Sequence, residues 1–144
     1  MMWTVQHHWP AGARFAFNCC RHWAQLLLRQ PGEPPVTILI REGVTQGDPL
    51  SMVLYGITLV PLAEYLKAAD PGLLSAFYLY DAVFDGLARR SAHLLKLLMK
   101  RGPDRGYFPE PAKSLFISDN PGQEKASKRE FAKEGLVLNF VSGS

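Results

Sequence analysis

The chain has little of the chemistry that marks out many small proteins. Its 144 residues hold two cysteines, Cys19 and Cys20, and these are adjacent. Neighbouring thiols offer no disulfide framework and suit a reducing compartment, cytoplasmic or nuclear. The paired-cysteine spacing of zinc modules is lacking as well. A site built from Cys19, Cys20 and His22 with His7 or His8 is therefore disfavoured, and both cysteines read as positions on a partly buried helix. No basic-then-apolar leader with a small-residue cleavage site opens the sequence, so export is not indicated. The longest uncharged stretch, Pro49 to Ala63, falls short of the roughly 18 residues that span a bilayer and contains Pro61. A buried core helix, with no membrane partner, is the expectation. Charge is sparse too. Sixteen Lys and Arg against 13 Asp and Glu leave a net +3, which permits a polyanionic partner without demanding one.

A globular core is present. Hydrophobic residues make up 47% of the chain, enough to exclude disorder throughout, and the length allows one domain or a piece of one. Phe15, Cys19, His22, Trp23, Leu26 and Leu27 recur at three- and four-residue spacing and predict a helix from about Ala13 to Arg29. Gln30 to Pro35 is a loop, and Val36 to Ile40 a β-branched strand. From Pro49 to about Lys67 the residues are apolar on nearly all sides, which predicts a helix enclosed by protein and bent at Pro61. Asp70-Pro71-Gly72 ends it. Two short strands, Leu73 to Tyr80 and Ala82 to Phe84, meet around Asp81.

A second amphipathic helix is predicted from Leu87 to Lys100, with Leu87, Leu94, Leu95 and Leu98 on one face. Arg89, His93, Lys96 and Lys100 occupy the other. That basic face can lie along phosphates or can be an ordinary solvated surface. After the loop Arg101 to Gly106 come a strand at Leu115 to Ile117, a helix at Gln123 to Glu134 stopped by Gly135, and a strand at Leu136 to Phe140. The order is that of an α+β fold with helices packed on an antiparallel sheet.

Within this frame one run stands out: Gly43-Val44-Thr45-Gln46-Gly47-Asp48-Pro49-Leu50-Ser51. Asp48 suits a helix N-cap, and Pro49 the first helical position, where a missing N–H costs nothing. Gln46 and Gly47 precede the positive end of that helix, with no Cβ on Gly47 to hold a ligand away. The nine residues resemble the second motif of reverse transcriptases, particularly those of non-LTR retroelements. Phe77-Tyr78-Leu79-Tyr80-Asp81-Ala82-Val83 is similar to the family's catalytic hairpin, with Tyr80 where the first hairpin aspartate stands. Gly106 to Ser114 resembles the fourth motif, and Lys113 falls on its lysine. Val141 to Ser144 resembles the approach to the next element.

The resemblance covers nearly the whole chain and implies a partial polymerase palm, with residues 1–35 a helix and loop preceding a palm-like core at 36–144. The first motif, and with it the first palm strand, would lie upstream. Without that strand an apolar sheet edge is left unpaired, which predicts marginal solubility. The implied partner is an RNA or DNA template–primer. Gln46 and Gly47 would line the nucleotide and template side, with Ser51 one turn into the helix. Lys113 would serve as general acid toward pyrophosphate, or is a surface lysine beside a strand. The implied cofactor is Mg2+.

That cofactor sets a condition the residues do not meet. Nucleotidyl transfer uses two Mg2+ ions roughly 3.5–4 Å apart, bridged by carboxylates. Of the family's aspartates only Asp81 remains. Tyr80 is a neutral phenol at pH 7, its reference pKa being about 10. Asp85 lies roughly 13 Å along the strand from Asp81, too far to share an ion. No metal pair and no polymerase activity are expected from these residues alone, although a longer chain or a second one can supply the missing segment. Two other outcomes fit the sequence. One is a remnant that binds RNA or DNA through Arg89, Lys96, Lys100 and the basic loop; the other is an expressed relic without function. Tyr78 and Tyr80, at alternate strand positions, read as packing residues. Trp3, Trp9 and Trp23 with the nearby histidines either cover a core or mediate association.

Overall fold

A computed structural model describes residues 1–40, 48–78, 81–118 and 120–142. The fold is mixed, with five α-helices and three two-stranded sheets among the described residues. It divides into two compact units, Met1–Leu59 and Val60–Ser144.

In the first unit, helices α1 (Met2–His8) and α2 (Pro10–Cys20) form a corner at Trp9. Pro10 opens α2 at the position where its missing N–H is harmless. Val5, Ala16 and Leu54 are the buried centre, with Met2, Trp9, Ala13, Cys20, Leu50 and Ile57 packed around them. Of the three tryptophans, Trp9 thus covers a core, whereas Trp3 and Trp23 are exposed.

The predicted helix from Ala13 to Arg29 is corrected here. It stops at Cys20, and β1 (Ala24–Leu28) runs antiparallel to β2 (Val36–Ile40), Ala24 opposite Ile40 and Leu28 opposite Val36. Residues 1–35 therefore include a strand. The apolar spacing at 22–27 fits either structure. The nearby turn, closed by the Glu33 N–H on the Gln30 carbonyl at 3.3 Å, brings a β-branched partner strand within reach and decides for pairing. Leu26, Leu27, Leu28, Val36, Ile38 and Leu39 are all exposed, so the ribbon presents apolar side chains on both faces.

Helix α3 (Pro49–Ala69) runs through the division at residues 59 and 60. By length and composition it is the one helix among the described residues able to cross a bilayer. It is apolar all round yet not enclosed. Ser51, Leu54, Leu59, Leu62 and Leu66 are buried, while Met52 and Val53 are about half exposed. Composition alone does not choose the buried stripe; neighbours do. Pro61 sits inside the helix and has no N–H to give the Ile57 carbonyl.

The second unit holds the hairpin of β3 (Leu74–Tyr78) and β4 (Asp81–Asp85), helix α4 (Ala88–Arg101), strand β5 (Leu115–Ser118), helix α5 (Glu124–Lys133) and strand β6 (Asn139–Ser142). The expected single antiparallel sheet is replaced by separate pairs. β3 and β4 are antiparallel, whereas β5 and β6 are parallel, because α5 carries the chain over between them. Phe116, Phe131 and Phe140 stack that crossover together at centroid distances of 5.2, 5.5 and 5.7 Å.

Helix α5 ends as the sequence foretells. Gly135 takes φ 74°, its N–H bonds to Ala132, and the Leu136 N–H reaches back to Phe131 at 3.0 Å. This is the Schellman arrangement, completed by burial of both Phe131 and Leu136. In α4, Leu94, Leu95 and Leu98 are buried as expected. Leu87 is not. It is the residue preceding the helix and is 71% exposed, so it lies outside the repeat that places the other leucines inward.

Candidate functional site

Asp48 caps α3: its Oδ1 accepts the Leu50 N–H at 2.9 Å, and its carbonyl accepts the Ser51 N–H at 3.0 Å. Ser51 is buried one turn into the helix. The Cys20 thiol is pushed up from its ordinary pKa by burial first, then by Cys19 and by the Asp48 carboxylate. The end of α2 and the start of α3 are thereby brought close. Gln46 and Gly47 lie outside the described residues.

Tyr78 ends β3 opposite Asp81, the first residue of β4. Tyr80 and Leu79 lie outside the described residues. Asp81, Val83 and Asp85 alternate onto the exposed face of the hairpin, while Ala82 and Phe84 are half-buried on the other. Tyr78 shares the exposed face and is 72% exposed. It is not the packing residue its strand position suggested, because among the described residues nothing covers that face of the hairpin. Phe77, one residue earlier and half-buried, does pack, edge-on against Tyr107 at 5.9 Å.

Asp81 is exposed at the start of β4. Among the described residues no three His, Cys, Asp or Glu side chains gather to hold a metal. Trp3 stacks on His7, and His7 meets His8 edge-on, which occupies these rings with one another.

Lys113 is exposed on a 3-10 turn, Pro111–Lys113, just before β5. Its N–H bonds to Glu110 at 3.0 Å, and Asn139 of β6 donates to the Ala112 carbonyl at 2.7 Å, so the turn is fixed to the neighbouring strand. On α4, Arg89, His93, Lys96 and Lys100 are exposed along one face. Lys96 is not a free cation: its Nζ meets Glu134 at 2.8 Å. The Lys96 hydrogen bond holds the Glu134 carboxyl below its ordinary range, and His93 adds to the effect. Arg89 shares an open groove of about 480 Å3 with Glu130, Lys133 and Glu134. The basic face is thus interleaved with acids that the α4 periodicity could not reveal, since Glu130 comes from α5 and Glu134 from the residue that follows it.

No protein-family model, curated protein or solved structure matches this chain.

Proposed function

We propose that the chain is part of a reverse transcriptase of the non-LTR retroelement type, spanning the second to fourth motifs of the palm, and that these 144 residues are catalytically inactive by themselves. The observation that carries the proposal is the nine-residue run Gly43 to Ser51 ending in a helix that Asp48 caps. Support also comes from the antiparallel hairpin that puts Asp81 beside its turn. Inactivity follows from Tyr80, which stands where the resemblance implies an aspartate.

Primer extension with Mg2+ or Mn2+ tests the inactive part. No incorporation is expected; template-dependent incorporation that Asp81→Ala abolishes would overturn it. The genomic sequence immediately upstream tests the palm itself. An in-frame segment bearing the missing aspartate, joined to this chain with Tyr80→Asp, is expected to restore incorporation. Failure of that extended chain to incorporate, though folded, counts against the palm.

A second function, binding RNA or DNA without chemistry, draws on the exposed Arg89, Lys96 and Lys100 along α4. Affinity of that kind falls steeply with salt, in proportion to the phosphates contacted.

A further inference from the structure

The C-terminal part of α3 and the loop after α4 enclose a groove of about 280 Å3, lined by Pro61, Leu62, Tyr65, Arg101, Asp104 and Arg105. Its construction begins with Gly102. A Cβ there would stand 2.4 Å from the Tyr107 carbonyl oxygen and 2.7 Å from that of Leu98, so only glycine lets the chain turn this tightly off the helix. The turn is then pinned by backbone bonds. Gly102 N–H reaches Leu98 at 2.7 Å, and Arg105 and Tyr107 both donate to the Gly102 carbonyl, at 2.8 and 2.9 Å. Tyr107 is itself buried against Phe77. Arg105 is thus carried on a loop with little freedom left to lose on binding.

The chemistry of the lining is one-sided. The Arg101 guanidinium lies over the Tyr65 ring, 5.7 Å from its centroid. That cation–π contact keeps the guanidinium beside the groove, and a guanidinium can offer two N–H donors to one anion. Arg105 brings a second positive charge to the same groove. Among the described residues no carboxylate pairs with either arginine, although Asp104 lines the groove with them. Arg101 can be understood as balancing the negative end of α4, but Arg105 lies beyond that helix. Two arginines, an aromatic ring that is 40% exposed, a proline and a buried leucine make a lining that joins positive charge to apolar surface.

We infer that this groove is a binding site for a small planar ring bearing a phosphate, the size of one nucleotide. Arg101 and Arg105 take the anion, while Tyr65 and Pro61 carry the ring. The site depends neither on the palm proposal nor on the basic face of α4, and its test separates it from both.

AMP, adenosine and inorganic phosphate are titrated into the full chain by calorimetry or NMR. AMP is expected to bind at about millimolar or tighter, and adenosine at least about tenfold more weakly, the equivalent of one charge-assisted contact. Phosphate is expected to compete with AMP, a result that needs no variant. Arg105→Ala should weaken AMP about tenfold and Arg105→Lys less, while Tyr65→Leu should weaken AMP more than phosphate. Asp104→Asn should tighten AMP about twofold by removing a like charge. Joint replacement of Arg89, Lys96 and Lys100 by alanine should leave AMP binding intact. A 5′-phosphorylated oligonucleotide that binds better than AMP assigns a strand end as the source of the ligand; weaker binding assigns the free nucleotide. Equal affinity for AMP and adenosine, no saturable binding, or indifference to Arg105→Ala in a folded variant would each overturn the site.

Discussion

Arg90, in the first turn of α4, grips Asp70, which follows α3: Arg90 Nε lies 2.7 Å from Asp70 Oδ2, and a second guanidinium nitrogen takes Oδ1. The same Oδ1 accepts the Gly72 N–H at 3.2 Å, so one carboxylate closes the turn into β3 and ties it to the next helix.

The Arg90 hydrogen bond holds the Asp70 carboxyl below its ordinary pKa, with the Arg90 charge and the Gly72 and Leu73 N–H groups assisting. A carboxyl depressed in the folded state adds stability that is complete above its unfolded pKa of about 3.9 and lost as pH falls through the folded value. Glu134, held low by Lys96, acts in the same sense. Acid unfolding of Asp70→Asn, followed by circular dichroism, is expected to start from a lower melting temperature at pH 7. The gap to the parent should narrow below pH 4 or so. A gap unchanged down to pH 2 or so would rule the linkage out.

Gly135→Ala forces a Cβ into the left-handed conformation that ends α5. A loss of about 1 kcal/mol is expected in urea unfolding. Gly135→Asn should lose less, since asparagine tolerates that region.

Ser91 is buried in α4, and its Oγ has no hydrogen-bond partner among the described residues. Removing an unsatisfied hydroxyl should stabilise, so Ser91→Ala is expected to gain about 1 kcal/mol by the same measurement. A loss of stability would mean that the hydroxyl is satisfied in solution.

RNA binding through α4 can be read from salt dependence. Because Glu134 already engages Lys96, Lys96→Ala should change the slope of log K against log salt by less than Arg89→Ala does. Glu134→Gln, which frees the lysine, is expected to raise affinity at low salt. Identical slopes in all three variants would remove α4 as a phosphate track.

Much of this architecture was legible in the sequence, for identifiable reasons. The leucine spacing made α4 plain, and the apolar run made α3 plain. The Asp48-Pro49 start and the Gly135 stop are local chemistry that needs no tertiary partner. What escaped depended on residues far apart in sequence. The 22–28 segment has helical spacing, yet its fate was settled across the Gln30–Glu33 turn by β2. The Asp70-Pro71-Gly72 stretch looked like a terminator only, because its partner Arg90 lies 20 residues on. Tyr65, Arg101 and Arg105 were a helix residue and a basic loop until folding set them around one groove. Gln46 and Gly47, on which the family resemblance leans, and Tyr80, where the chain departs from the family, lie outside the described residues.

The β1–β2 ribbon has a practical corollary. An isolated pair of strands is held together only marginally in water, and this pair offers leucine, isoleucine and valine above and below with no charged side chain between Ala24 and Leu28 or between Val36 and Ile40. At high concentration, strand-to-strand association through this ribbon is the expected outcome. Purification should therefore stay dilute, and a lysine placed at Leu27 or Ile38 should delay clouding.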